Sequence, residues 1–204
     1  MLQTERNRIE TDKFTLARLK SNDEFRCTEA FDCGLEDLND FFREDALPHK
    51  EQLLAETYYF QPLELTKTGQ LFPVAFVSFL NDSIHIERDE RKAEKKGFWR
   101  HLKKSVPYPK RNYESFPAVK IGRLGVLNEY ARLGIGTYLL NMTKDLFLTD
   151  NRTGCRFITV DAYNEVKVIA FYQKNGFDFL WDKDKNDKTR IMFFDLLRHQ
   201  KAFA

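Results

Sequence analysis

The stretch Val119 to Leu140, VKIGRLGVLNEYARLGIGTYLL, decides the fold. A strand-like run, Val119 to Leu127, enters a short polar turn, Asn128 to Arg132. Gly134 and Gly136 follow and open directly into an amphipathic helix. Amides in the first turn of a helix have no partner inside it, and the helix dipole adds positive potential there. Glycine lets a ligand approach the backbone closely. The pattern is that of a backbone cradle for a phosphate group. The competing reading is a helix that starts on glycines for close packing.

Neighbouring residues narrow the choice. The dinucleotide fingerprint needs a third glycine, where this chain has Leu139. The P-loop needs Lys and Ser/Thr after its last glycine, and here Thr137 and Tyr138 follow. Both argue against those two nucleotide sites.

Composition sets the wider frame. A chain of 204 residues reads as one domain, 1–204, long enough to bury a core. With 42% hydrophobic and 31% charged residues it reads as soluble and globular. Nineteen Phe point to an aromatic-rich core, or to a site that holds something flat or oily. A formal charge of +2 is too small for a nucleic-acid argument over the whole chain, so any such argument must be local. Cys27, Cys33 and Cys155 are odd in number and lack motif spacing, which points to a reducing compartment. No apolar run approaches the ~20 residues of a membrane span, and the polar N-terminus lacks a signal-peptide core. The expected location is cytoplasmic, with no membrane partner.

Periodicity places the remaining elements. Phe14 to Leu19 reads as a first strand and Gly34 to Leu47 as an amphipathic helix, where Pro48 either ends it or begins a second short helix. Glu56 to Gln61 and Leu71 to Leu80 read as strands. Asp82 to Pro117 (82–117) reads as a polar helix-and-loop insertion. The glycine-led helix carries Ile135, Tyr138, Leu139, Met142 and Leu146 on one apolar face. Phe157 to Tyr163 is a buried strand, and Glu165 to Lys174 a helix ended by Asn175-Gly176. Phe177 to Trp181 and Arg190 to Leu196 form a closing hairpin around a charged loop. The expected class is α/β (α+β), a central mixed sheet of about six to seven strands with helices on both faces.

Two motifs, in order, carry a resemblance. Ala131-Arg132-Leu133-Gly134-Ile135-Gly136 approximates Gln/Arg-x-x-Gly-x-Gly/Ala. Asn164, Phe171, Tyr172, Gly176 and Phe177 approximate Asn…Ala-x-Phe-Tyr-x-x-x-Gly-Phe. Over roughly residues 71 to 196 the chain resembles the GNAT superfamily of acyl-CoA-dependent N-acyltransferases. The resemblance implies acetyl-CoA as cofactor and transfer of acetyl to a primary amine by direct attack. It implies that the backbone of Leu124, Gly125 and Val126 pairs with the pantetheine arm. It implies that the amides of Leu133, Gly134, Ile135, Gly136 and Thr137 hold the pyrophosphate, with Asn164 close to the cofactor. Ala131 departs from the family pattern, and Arg132 would supply the charge instead.

Tyr172 stands where the family keeps a general acid for the departing thiolate. A phenol near ~10 stays protonated at neutral pH and can donate to a thiolate near ~8.5. The competing reading is a packed aromatic, like Phe171. The strand Val119 to Leu127 holds no carboxylate, and Glu129 and Asp161 are the nearest candidates for a base.

Phe31 to Phe60, FDCGLEDLNDFFREDALPHKEQLLAETYYF, resembles the front end of one GNAT branch, the toxins that acetylate the amine of aminoacyl-tRNA. That branch implies aminoacyl-tRNA as acceptor, an antitoxin protein as partner and, by analogy, a homodimer. Independently, Arg91 to Arg111 holds nine basic residues against one acid, Glu94, with Phe98, Trp99 and Tyr108 interleaved. Such a segment can contact phosphates and stack on bases, or can be a solvated helix with its aromatics packed inward. His49, His101 and His199 have no metal-ligand spacing, and no metal is expected. Two alternatives stay open: the same chemistry on a small amine or protein N-terminus, and a non-catalytic nucleic-acid-binding or regulatory module.

Overall fold

Strand β4, Ser115–Val126, owes its packing to two glycines. A Cβ on Gly122 would lie 2.4 Å from Leu80 Cδ1, and one on Gly125 would lie 2.6 Å from Phe76 Cε1. Side chains of the preceding strand therefore lie directly over the β4 backbone, which no larger residue would permit. The computed structural model describes residues 13–20, 31–64, 72–85, 102, 115–149 and 154–200.

The other strands are β1 (Phe14–Arg18), β2 (Glu56–Pro62), β3 (Ala75–His85), β5 (Phe157–Tyr163), β6 (Asp178–Phe179) and β7 (Thr189–Asp195). Together they form one mixed seven-stranded sheet in the order β1-β2-β3-β4-β5-β7-β6. The pairs β1–β2, β2–β3, β5–β7 and β6–β7 are antiparallel. The helices are α1 (Glu36–Asp40), α2 (Ala46–Glu51), α3 (Ile135–Thr149), α4 (Val166–Lys174) and α5 (Leu196–Gln200).

The sequence-based boundaries shift in four places. Strand β3 starts after Pro73, which has no N–H to give a ladder, and continues through Asp82 to His85. Residues 115–117 likewise belong to β4 rather than to an insertion. Burial explains both: Ile84 and Phe116 belong to one apolar cluster. The helix expected over Gly34 to Leu47 starts at Glu36, is interrupted by a π-type turn at Phe41–Asp45, and continues past Pro48. The first strand of the closing hairpin shrinks to Asp178–Phe179, followed by one more bond to β7, Leu180 N to Ile191 O at 2.9 Å, before the charged loop begins.

Two compact units emerge, Met1–Leu80 with Ile121–Thr143, and Asn81–Lys120 with Lys144–Ala204. The first holds an aromatic core. Phe76 stacks on Phe42 with centroids 4.3 Å apart and planes 2° from parallel, and Phe31 meets it edge-on at 5.3 Å. A second cluster joins Phe60, Val74 and Ala75 to Ile135 and Leu139. The expected α3 face is thus only partly correct: Ile135 and Leu139 are buried, but Leu140, Thr143 and Lys144 are buried too, and Tyr138, Met142 and Leu146 are half-buried. Thr143 satisfies its hydroxyl by donating to Leu139 O, four residues back.

The second unit centres on Phe157, which packs edge-on against Phe116 and Phe193. Its charged loop is tied down. Arg190 Nε donates to Asp184 Oδ1 at 2.8 Å, and the Ile191 amide donates to Asp184 Oδ2 at 2.7 Å. Both members of this ion pair are buried, so each charge depends on the other.

Gly125→Ala should destabilise the protein by about 1–3 kcal/mol through overpacking against Phe76. Chemical denaturation checks this. Combining it with Phe76→Leu should cost less than the two single losses added together, because the same clash is then relieved.

Candidate active site

The turn after β4 assembles a row of unsatisfied donors. Leu127 N donates to Val74 O at 2.9 Å, Tyr130 N to Leu127 O at 2.9 Å, and Ala131 N to Asn128 O at 3.1 Å. The last two bonds close a single 3-10 turn, Asn128–Tyr130. Beyond it the pattern stops. The first helical bond of α3 is Tyr138 N to Gly134 O, at 3.0 Å. Among the described residues, the amides from Leu133 to Thr137 have no backbone acceptor. They cluster at the N-terminus of a 15-residue helix, where the dipole is positive.

Backbone conformation makes this possible. Gly134 has φ +96° and exposes its backbone, and a Cβ added there would meet no atom within 4 Å. Its lack of a side chain therefore serves the turn, and the space above it is open. Arg132 also adopts a left-handed conformation, φ +65°, without being glycine. Such a conformation costs roughly 1–2 kcal/mol for a residue with a Cβ. Its side chain is exposed, beside the free amides in sequence. Leu124 and Val126 are half-buried, and Gly125 is buried under Phe76. The loop and the three β4 residues expected to act with it thus lie in one unit.

Asn164 and Tyr172 belong to the other unit. Asn164 follows β5, and its amide group is engaged. Nδ2 donates to Lys185 O and to Asp187 O, both at 3.0 Å, while its backbone N–H donates to Lys188 O at 2.9 Å. Asn164 therefore clips the charged loop, and its exposed position leaves Oδ1 as the group open to a ligand.

Tyr172 sits on α4 and is held by the way that helix ends. Phe177 N donates to Tyr172 O at 3.1 Å and Gly176 N to Gln173 O at 3.0 Å. Gly176 takes φ +85°, and Phe177 packs edge-on against the Tyr172 ring at 5.3 Å. This is a Schellman termination with its accompanying apolar contact. Lys144 reinforces it: its Nζ donates to Asn175 O at 2.9 Å and lies 4.3 Å from the centroid of Phe194. Burial lowers the Lys144 pKa. Tyr172 is buried, and desolvation of its phenolate pushes its pKa well above the ordinary value. The phenol is therefore neutral throughout the physiological range. Among the described residues, its hydroxyl has no hydrogen-bond partner.

The carboxylates considered as bases divide. Asp161 lies 2.7 Å from Lys120 Nζ in an ion pair, and Glu129 is exposed in the 3-10 turn. Cys155 is pushed up to about 11 by burial, and Cys33 is also raised by burial. Neither thiol is a nucleophile at neutral pH. The basic segment Arg91 to Arg111, apart from Leu102, lies outside the described residues.

Residues 85–178 match the acetyltransferase (GNAT) domain family, a span that includes the loop, Asn164 and Tyr172. That span resembles the acetyltransferase (GNAT) domain, in line with the family that the two motifs resemble. Three solved structures share its fold. It covers 94% of its length against 99% of AtaT complexed with acetyl-methionyl-tRNAfMet, with TM-score 0.70 and 20% identity. A Tyr-to-Phe mutant of KacT gives TM-score 0.69 and 18% identity, over 93% of this chain and 99% of that one. AtaTR bound with AcCoA gives TM-score 0.66 and 20% identity, over 95% and 99%. Identities this low show a shared fold. No curated protein sequence matches the chain significantly.

Proposed function

We propose that the protein transfers acetyl from acetyl-CoA to the α-amine of an aminoacyl-tRNA, as the toxin of a toxin–antitoxin pair in the cytoplasm. The carrying observation is the row of acceptorless amides from Leu133 to Thr137 at the start of α3. A pyrophosphate presents several anionic oxygens in line, which matches such a row. Support for the branch comes from the full-length likeness to AtaT in complex with acetyl-methionyl-tRNAfMet. An antitoxin partner follows from the same likeness, since AtaT has also been seen bound to the C-terminus of the antitoxin AtaR.

Acetyl-CoA would supply an activated thioester. The amides of Leu133 to Thr137, with Arg132, would hold its pyrophosphate, and the Leu124–Val126 backbone would line its arm. Asn164 contributes Oδ1. The acceptor amine would form the new C–N bond as the C–S bond breaks. Tyr172 would give its proton to the departing sulfur, and the proton that the nitrogen loses would return to the Tyr172 oxygen through water, so the phenol is neutral again at the end of the turnover.

The acceptor class follows from the bases. Asp161 is neutralised by Lys120, and β4 offers no carboxylate. Deprotonating a lysine amine at pH 7 costs roughly 4–5 kcal/mol, against about 1 for an α-amine. A site with so little basic help favours the α-amine.

The test offers labelled acetyl-CoA, a pool of aminoacyl-tRNAs and small amines to the protein together. Label should appear on the aminoacyl α-amine. Label confined to small amines or protein N-termini would overturn the tRNA assignment, and no binding of acetyl-CoA at millimolar concentration would overturn the enzyme reading itself. Tyr172→Phe should lower kcat by about 10²–10⁴-fold with CoA affinity retained. Unchanged turnover removes Tyr172 from the chemistry.

Arg132→Gly separates stability from binding. It relieves the left-handed strain but adds about 0.4–1 kcal/mol of unfolded-chain entropy, so the melting temperature should barely move. Affinity for CoA should fall about tenfold, the worth of one charge-assisted contact, as measured by calorimetry.

A further inference from the structure

The N-terminal turn Phe31 to Gly34 touches the phosphate loop at one residue. Asp32 O accepts the Asn128 amide at 2.9 Å, and Asp32 Oδ2 accepts Asn128 Nδ2 at 3.2 Å. Asn128 is thus gripped by both its backbone and its side chain. It opens the 3-10 turn, and its own carbonyl accepts Ala131 N. Among the described residues it is the last hydrogen-bonded tie from the N-terminal turn to the segment before the free amides begin, and Tyr130 after it is held by packing, its ring edge-on to Phe14.

Asp32 is itself fixed with care. Its Oδ1 accepts Gly34 N at 2.8 Å, an Asx turn, and Asn39 Nδ2 at 3.0 Å. Asn39 is buried, and its Oδ1 accepts Cys33 N at 2.9 Å. Arg43 reaches back from the π-type turn to donate to Phe31 O at 2.7 Å. Gly34 has φ +85°, and a Cβ there would come within 3.2 Å of Asn128 Oδ1. Every contact aims the carboxylate at Asn128. These donors also hold the Asp32 pKa below its ordinary value, so the carboxylate is charged at neutral pH.

We propose that Asp32 and Asn128 form a latch that positions the Leu133–Thr137 amides for the cofactor's pyrophosphate. The proposal rests on the acetyl-CoA reading above. Neither residue touches the cofactor; both act through the shape of the loop. The latch explains why a turn more than ninety residues upstream in sequence carries an Asp, a left-handed Gly and a buried Asn that no core packing requires.

The pair can be reversed, which supplies the test. Asn128→Asp sets two carboxylates against each other. Asp32→Asn combined with Asn128→Asp restores one N–H···O bond, with the amide now on the other side. In the double variant the Asn oxygen still serves Gly34 N and Asn39. Kd for CoA by calorimetry, steady-state kinetics with acetyl-CoA and thermal melting are measured on the full chain. Asn128→Asp should weaken CoA about tenfold, raise KM for acetyl-CoA equally and leave kcat at saturation unchanged. The double variant should recover most of that loss. A purely structural contact would lower the melting temperature without this split and without rescue. Should Asn128→Asp fail to fold, Asn128→Ala removes the side-chain donor without adding charge, and should weaken CoA severalfold. Wild-type CoA affinity in Asn128→Asp, or in Asn128→Ala, overturns the latch. Absence of CoA binding by the unmodified protein overturns the acetyl-CoA reading instead.

Discussion

The ring of Phe76 resting on the bare backbone of Gly125 is the contact on which the first unit depends. On its outer side the ring stacks almost parallel on Phe42, and Phe31 and Phe41 close around it. This cluster attaches α1 and the π-type turn to the strand that leads into the Leu133–Thr137 loop. Arg123, also on β4, lies 5.3 Å from the centroid of Phe41 and donates to Gly122 O. The aromatic core is therefore also the mounting of the loop. The many Phe that composition flagged are explained here by packing, and no flat or oily ligand is needed to account for them.

The sheet and the loop were legible because their signals are local. β-branched and aromatic runs bounded by polar turns gave β2, β4, β5 and β7, and Gly134 beside Gly136 gave the start of α3. Asn175-Gly176 gave the end of α4 for a stereochemical reason, since the residue after the helix must turn left-handed. What stayed hidden depends on distance in the chain. Asp32 with Gly34 could have been read as an Asx turn, but its partner Asn128 is visible only in the fold. The left-handed Arg132 was equally hidden, because side-chain identity says little about a strained φ. Asn164 was singled out as a cofactor residue from a motif, and the fold adds that its donors clip a loop. The polar run after Leu80 was misread because Ile84 is buried among residues far away in sequence.

The second unit reaches precision by a different route. A helix end, a buried cation and a ring contact converge on Tyr172. Lys144 is buried beside an aromatic face and caps the carbonyl end of α4, which is the favourable end for a positive charge. In the proposed reaction a hydroxyl that delivers a proton would gain from such immobility, since a poorly placed donor loses much of its effect.

The two-residue strand β6 ends one side of the sheet in the described residues. A free strand edge is a template on which another chain can add a strand, and the hazard grows with the length of ladder on offer. Two residues offer almost none, and the loop beyond β6 is fastened by Asp184 and Asn164 instead of extending the edge. The sheet therefore gives another chain very little to pair with on that side. Among the described residues, the five residues of β1 at the opposite end are the longer outer strand.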